Sequence, residues 1–413
     1  MQTNLAQFIR DTPEGREADA ILRKCTHCGM CTATCPTYQL LNDELDGPRG
    51  RIYLIKQVLE GAAPTARTQL HLDRCLTCRA CETTCPTGVR YGRLVDIGQH
   101  VVEARVPRGP FESVWRGALE TVISRPSLFG PLFRFGQLAR PFLPAALKEK
   151  VPQAGATAAP WPAATRARKM LVLEGCAQPS LSPATSAAAA RVLDRLGMSL
   201  VRAAGASCCG AVSFHLNRQE RALDVMRRTI DAWWPHIEQG AEAIVITASG
   251  CGVTVKEYGH YLAQDPAYAA KAKRVSGLAK DISEVIIAEK DKLKTLIPQL
   301  SSLSPRQRIT FHSPCTLQHG MKLRGGVEML LREIGYSLTE VPDAHLCCGS
   351  AGTYSILQPE LSQQLLANKV AALESGTPSA ILTANIGCQA HLQSATSLPV
   401  RHWIEALDES LTR

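Results

Sequence analysis

The chain's sixteen cysteines fall into two sets of eight, and the first set constrains the fold most tightly. Cys25, Cys28, Cys31 and Cys35 lie in CTHCGMCTATCP, and Cys75, Cys78, Cys81 and Cys85 in CLTCRACETTCP. Both strings read C-x-x-C-x-x-C-x-x-x-C-P. Three thiolates so spaced on one loop can each hold a different iron of a 4Fe-4S cube, while the fourth crosses to the other cube of a pair. The spacing therefore predicts Cys25, Cys28, Cys31 and Cys85 around one cluster, and Cys75, Cys78, Cys81 and Cys35 around a second. Structural zinc needs four ligands per ion and has no use for a triple run closed twice by Cys-Pro. Disulfide frameworks suit small secreted domains, and MQTNLAQFIRDTPEGREADA has neither the cationic start nor the apolar run of an export signal.

This layout is that of a two-cluster ferredoxin, which predicts a carrier of electrons. At 413 residues the chain has room for two or three domains, each with its own core. A formal charge of +9 from dispersed lysines and arginines, with no recognition motif around them, argues against nucleic acid as a partner. No apolar stretch approaches the roughly 18 to 20 residues that span a bilayer, so membrane attachment is expected to be peripheral or through another subunit. Reduced thiols place the chain in the cytoplasm, on the cytoplasmic face of the inner membrane.

The expected organisation is a mainly helical two-cluster module over residues 1–106 and a helical, basic and aromatic connector with linker over 107–168. Between the cysteine runs, DGPRGRIYLIKQVLEG predicts a turn and then a helix carrying Ile52, Ile55 and Leu59 on one face. Arg49 and Arg51 open that helix, where a guanidinium beside an anionic cluster would raise its potential. Residues 107–150 interleave arginines with Phe111, Trp115, Leu128, Phe135 and Leu138, and their prolines spoil a single amphipathic helix. Packing onto its own domain is the expectation there, with a lipid surface or a partner as the alternative. The Ala/Pro-rich stretch 151–168 reads as a linker.

The second set of eight cysteines marks a duplication. Cys176 is followed by Cys208-Cys209-Gly210 and Cys251, and Cys315 by Cys347-Cys348-Gly349 and Cys388, with the same interval from first cysteine to pair. In both copies short apolar strands, KMLVLEGC or RITFHSPC and EAIVITASGC or SAILTANIGC, alternate with helical stretches. That predicts two α/β repeats with parallel sheets, over 169–290 and 306–413. Cysteines at strand ends should meet in the crevice beyond the strands' carboxyl ends, forming one site from Cys176, Cys208, Cys209 and Cys251 and another from Cys315, Cys347, Cys348 and Cys388. Metal or cluster coordination is the preferred reading of those sites, because neighbouring cysteines strain to form a disulfide. His312, His319 and His391 are candidate extra ligands or hydrogen-bond donors to sulfur.

The Cys-Cys-Gly repeats resemble the cysteine-rich domain of heterodisulfide reductase subunits and of many respiratory iron-sulfur proteins. That resemblance implies a noncubane 4Fe-4S cluster or a metal. Those relatives close each motif with C-x-x-C, whereas here Thr254 and His391 stand at the last position, so each site lacks one thiolate of the pattern. From about Ala18 to Trp403 the chain resembles the iron-sulfur subunits of glycolate oxidases, most specifically in ELDGPRGRIYLIKQVLEG, VLEGCAQP, DAWWP, TASGCG, VKEYG, PCTLQH, HLCCGSAGTY and TANIGC.

The resemblance implies an electron-transfer subunit with no catalytic residue of its own. FAD-bearing partner subunits would oxidise glycolate to glyoxylate, with D-lactate as a further substrate, and a quinone or other carrier would accept the electrons. The absence of G-x-G-x-x-G, Walker and triad motifs agrees with substrate chemistry sited elsewhere. Competing readings are the iron-sulfur subunit of a glycerol-3-phosphate or lactate dehydrogenase, a thiol or quinone reductase acting at the Cys-Cys-Gly sites, and an assembly protein with structural clusters.

Overall fold

A computed structural model describes residues 1–142, 159–296 and 307–412. Residues 151–158 of the expected linker, and residue 306 at the expected start of the second repeat, lie outside the described residues.

The cluster module is helical because its apolar residues recur every three or four positions. Helix α1 (Pro13–Lys24) starts where the Thr12 side chain accepts from the Gly15 N–H and Pro13 presets the first turn. It buries Ala18, Ile21 and Leu22. Helix α2 (Pro48–Leu59) buries Ile52, Ile55 and Leu59, as their spacing predicts. Helix α3 (Ala66–Asp73) begins at a Thr65/Thr68 capping box. Helix α4 (Tyr91–Arg105) crosses α2 closely at Gly98, where an added Cβ would stand 2.5 Å from Ile55 Cγ1. Ile21, Leu22, Ile55, Leu59, Leu94 and Val95 form the shared core of these helices.

The connector departs from the expected packing. Helix α5 (Pro110–Ile123) buries only Arg116, Leu119 and Glu120, and α6 (Pro126–Ala139) buries no residue. Phe111 is 84% exposed, Phe135 70% and Leu138 77%. Charges at the root hold the hairpin instead. Arg108 bridges Asp73, Glu103 and Glu112, Arg116 bridges Asp73 and Glu112, and Arg221 of the first repeat reaches Glu120.

Each repeat holds a four-stranded parallel sheet. In the first, β1 (Arg168–Leu173), β2 (Met198–Arg202), β3 (Ile244–Ile246) and β4 (Ala279–Asp281) lie in the order β2-β1-β3-β4. In the second, β5 (Arg308–His312), β6 (Ser337–Leu338), β7 (Ile381–Thr383) and β8 (Val400–His402) lie in the order β6-β5-β7-β8. The topologies are identical, and both place the strand-order switch between the first and third strands.

Alternate side chains on a strand face opposite sides, and the repeats use both. Met170 and Val172 of β1, with Ile309 and Phe311 of β5, enter a core common to both repeats. There α7 (Pro183–Arg195) packs on α14 (Trp403–Thr412); along the chain between them lie α8 (Gln219–Glu238), α9 (Ser249–Lys256), α10 (Ile282–Ala288), α11 (Gly326–Glu333), α12 (Pro359–Glu374) and α13 (Ile386–Gln393). Leu171 and Leu173 face the opposite core, with Trp233 of α8.

Candidate iron-sulfur centres

The two cysteine loops fold alike because their residues take alike backbone conformations. His27 and Gly29 in the first, and Thr77 and Arg79 in the second, have φ of 62°, 84°, 50° and 61°. Left-handed residues at these points curl the chain around its own cysteines, and the Thr77 N–H lies 3.4 Å from Cys75 Sγ. Each loop closes with Cys-Pro-Thr, where the Thr37 and Thr87 hydroxyls stand 3.3 and 3.4 Å from Cys35 and Cys85 Sγ. The Val89 N–H also points at Cys85 Sγ, 3.4 Å away.

Two cavities result. One, with about 420 Å³ of space free of protein atoms, is lined by Cys25, Cys28, Cys31, Cys85 and also Cys81. The other, about 370 Å³, is lined by Cys35, Cys75, Cys78 and Cys81. The fourth cysteine of each run thus lies with the triple run of the other. Space between convergent thiols, with N–H and O–H donors aimed at sulfur, fits an iron-sulfur cluster in each cavity. The cavities adjoin at Cys81.

Their surroundings differ. Cys28 is exposed at the first, near Met30 and Tyr53, which are 53% and 46% exposed. At the second no cysteine is exposed: Cys35 and Cys81 are buried, and Cys75 and Cys78 half-buried. Arg51, 1% exposed, donates there to the His71 carbonyl (2.7 Å), Thr37 Oγ1 (3.2 Å) and Asp46 Oδ1 (3.4 Å). Burial pulls its pKa down, but Cys75, Tyr91, Cys35 and Asp46 more than offset that and raise it. Arg49 belongs instead to the first cavity, paired with Glu44 at 2.6 Å. Asp46 and His71, which complete the Arg51 network, carry no motif that sequence reading could have used.

Both repeats clamp the second loop. Arg79 forms a two-pronged ion pair with Glu257 just beyond α9. Thr83 Oγ1 lies 3.0 Å from His319 Nδ1, and the Tyr354 hydroxyl donates to the Arg74 carbonyl. His319 Nε2 donates to the His345 carbonyl, which leaves Nδ1 to accept from Arg324 and Thr83. His319 therefore joins domains and points at no thiol.

Four cysteines gather in each crevice, with one refinement to their placement. Cys251 and Cys388 ride in the first turns of α9 and α13 rather than at strand ends. In the first repeat Cys176 hydrogen-bonds Cys208 and Cys209 hydrogen-bonds Cys251, and the pairs lie close enough for Cys209 to act electrostatically on Cys176 and Cys208 on Cys209. The hydrogen bond from Cys176 is the main cause that lowers the Cys208 pKa to about 7; burial opposes it and the Gly210 N–H assists. In the second repeat contacts run unbroken from Cys315 to Cys347, Cys348 and Cys388. The Cys315–Cys347 Sγ separation is 3.8 Å. His312 donates or accepts at Thr383 Oγ1 (3.0 Å), and its ring lies with Cys348 and Cys388 such that one ligand atom from each falls within 4.8 Å of the others. His391 bonds Ser362 instead.

Comparison with known proteins agrees with this division. A 4Fe-4S dicluster domain matches residues 21–89, and a cysteine-rich domain matches twice, at 170–256 and 309–393. The glycolate oxidase iron-sulfur subunit of Escherichia coli (strain K12) is 56% identical over the full length of both chains. This chain belongs to the glycolate oxidase iron-sulfur subunit family. The probable glycolate oxidase iron-sulfur subunit of Bacillus subtilis (strain 168) is 28% identical over 92% of this chain and 90% of that one. Lactate utilization protein A of Bacillus licheniformis is 27% identical over 49% of this chain and 80% of its own length. As a family member, the chain is an iron-sulfur component of an oxidoreductase complex, built for electron transfer with 4Fe-4S clusters.

Proposed function

We propose that this chain is the electron-transfer subunit of a glycolate oxidase or dehydrogenase complex. FAD-bearing partner subunits oxidise glycolate to glyoxylate, and this chain carries the electrons to a quinone or another acceptor. The observation that carries the reading is the pair of adjoining cysteine-lined cavities, one with Cys28 exposed and the other with the buried Arg51 beside its thiols. In this reading Cys25, Cys28, Cys31 and Cys85 hold one 4Fe-4S cluster, and Cys35, Cys75, Cys78 and Cys81 the other. Clusters in these places exchange electrons one at a time, so a two-electron oxidation of the substrate is passed on in single steps. The cysteine loops hold them close together, and Arg51 offsets the negative charge of the one beside Cys35 and Cys75.

The same reading divides the chain into units at 1–106, 107–168, 169–290 and 306–413. It places the complex peripherally on the cytoplasmic face of the inner membrane. Among the described residues no helix is long and apolar enough to cross a membrane. The rival thiol or quinone reductase activity needs an accessible crevice; Cys208, Cys209, Cys347, Cys348 and Cys388 are buried, while Cys176, Cys251 and Cys315 are half-buried.

Anaerobic addition of glycolate to the purified complex should produce the EPR signals of reduced 4Fe-4S clusters, and addition to this chain alone should not. Parallel trials with D-lactate and glycerol-3-phosphate fix the substrate class, and clusters that stay oxidised during glycolate turnover would sink the relay. Ligand exchange has its own test. Cys35→Ser should alter the EPR signal of the cluster at Cys75, Cys78 and Cys81, and Cys85→Ser that of the cluster at Cys25, Cys28 and Cys31. Damage confined to the cluster of each mutated residue's own run would refute the assignment.

A further inference from the structure

A helix at a protein surface ordinarily turns its apolar stripe inward. The hairpin of α5 and α6 does the reverse. On α6, Leu128, Leu132, Phe135 and Leu138 recur at the spacing of one helix face, and all four are exposed. The opposite side of α6 meets the first repeat, where a Cβ added at Gly130 would stand 3.2 Å from Ser180 Oγ. On α5, Phe111, Val114 and Trp115 are exposed along one face, while Arg116 and Glu120 are buried at the root. Half of the exposed large apolar residues among the described residues lie on this hairpin. Apolar residues scattered singly over a surface are ordinary, but a cluster of this kind marks a contact.

Charge selects the occupant. From Thr121 to Lys148 the chain has no aspartate or glutamate, and it has Arg125, Arg134, Arg140 and Lys148. Arg125 and Arg134 are exposed, and Arg134 flanks the apolar face of α6. The acidic residues of α5 are engaged at the root: Glu112 pairs with Arg108 and Arg116, and Glu120 with Arg221. Aliphatic and aromatic side chains beside positive charge alone are what an anionic bilayer takes up. Its headgroups attract arginine, and the boundary just beneath them receives Leu, Phe and Trp. A protein partner would have to set apolar grooves for both helices among its carboxylates, whereas a bilayer offers charge and apolar depth together over its whole surface. The hairpin is also fixed to the electron-carrying part of the molecule: Arg108 and Arg116 both pair with Asp73, two residues before Cys75 of the second cysteine loop.

We infer that the hairpin of α5 and α6 is the membrane attachment of this chain. It lies in the interface of an anionic lipid bilayer, with Leu132, Phe135 and Leu138 at the acyl boundary and Arg125 and Arg134 at the headgroups. The inference rests on the reading of a peripheral complex and names the surface that makes it peripheral.

The test is co-sedimentation of the purified full-length chain, and of the complex, with phosphatidylcholine vesicles made with and without phosphatidylglycerol. Both should bind the anionic vesicles, and binding should fall at high salt and without phosphatidylglycerol. Phe135→Ser with Leu138→Ser should weaken binding about tenfold or more, because two large side chains no longer enter the acyl boundary. Arg125→Gln with Arg134→Gln should reduce the preference for phosphatidylglycerol about tenfold. All four residues are exposed, so the melting temperature and the cluster EPR signals produced by glycolate in solution should match those of the parent protein. Binding by the complex that is absent from the chain alone, or that survives the Phe135 and Leu138 substitutions, would put the attachment elsewhere and leave the peripheral location standing. A complex that binds no vesicle would end both. Loss of the flavin-bearing subunits from the variant, a change from dimer to monomer, or a drop in its melting temperature would show that a partner protein, a second copy or the rest of this chain covers the face, and each would overturn the inference.

Discussion

Arg51 concentrates the residue-scale physics of this molecule. Its guanidinium lies in the protein interior beside Cys35 and Cys75, held by Asp46, Thr37 and the His71 carbonyl, while Arg74 and His71 share the other contacts of Asp46. Removing one partner of a buried ion pair leaves the other desolvated and unpaired, so Arg51→Met should cost about 3 kcal/mol in a denaturant melt. It should also lower the reduction potential of the cluster at Cys75, because adding an electron becomes harder once the nearby positive charge is gone. An unchanged potential in an EPR-monitored titration would make Arg51 purely structural. Arg51 was legible as a candidate from its place between the cysteine runs. Asp46 and His71 were not, since their meeting depends on a turn and a helix that only the packed module brings together.

Among the elements, the Cys-Cys-Gly turn depends on a backbone that only glycine tolerates well. Gly349 has φ of +88°, and a Cβ there would stand 2.6 Å from the Ser362 backbone oxygen. At Gly210, with φ of +84°, the nearest atom, the Ala222 oxygen, is 3.1 Å away. Left-handed backbone costs an L-residue about 1 to 2 kcal/mol, and the closer contact adds to that at Gly349. Gly349→Ala should therefore lower the melting temperature more than Gly210→Ala; equal effects would show that α12 yields freely. The strands and their parallel order were legible in the alternation of apolar runs with helical stretches. The exposure of α6 was not. Its aromatic composition suggested burial, but beyond the preceding helix, α6 touches chiefly residues 178–181, which leaves Leu132, Phe135 and Leu138 exposed, and ion pairs at the root hold the hairpin in place.

At the scale of the whole molecule, a half-buried charge network fastens the cluster module to the first repeat. Arg93 lies 3.3 Å from both Asp96 and Glu17, His260 reaches Glu17 at 3.2 Å, and Arg79 grips Glu257. Burial raises Asp96 to about 7, against the opposing pull of Arg93 and Arg79 and with help from Glu257 and Glu82. A carboxyl whose folded pKa exceeds its unfolded value holds a proton in the fold that the unfolded chain has released. Its contribution to stability is therefore lost as pH rises from about 4 to about 7. Asp96→Asn removes that dependence, so its stability relative to the parent protein should improve by about 2 kcal/mol between pH 5 and pH 8. Melting curves at the two pH values check this, and an unchanged difference would mean that Asp96 is already charged at pH 5. Glu17 is different: burial raises its pKa, but His260 and Arg93 bring it down to about 2, so it stays charged across that range and adds no slope.

The sequence by itself determined the sixteen thiols, their division into two loops and two repeats, and the strands that carry them. Ligand spacing and apolar period are local properties, written over a few consecutive residues. Only the tertiary structure decided which crevice lies against which cluster, and that His312 joins the second set of thiols. Those neighbours come from β5 and the second cysteine loop, segments far apart in the chain, and packing rather than spacing sets the distance between them.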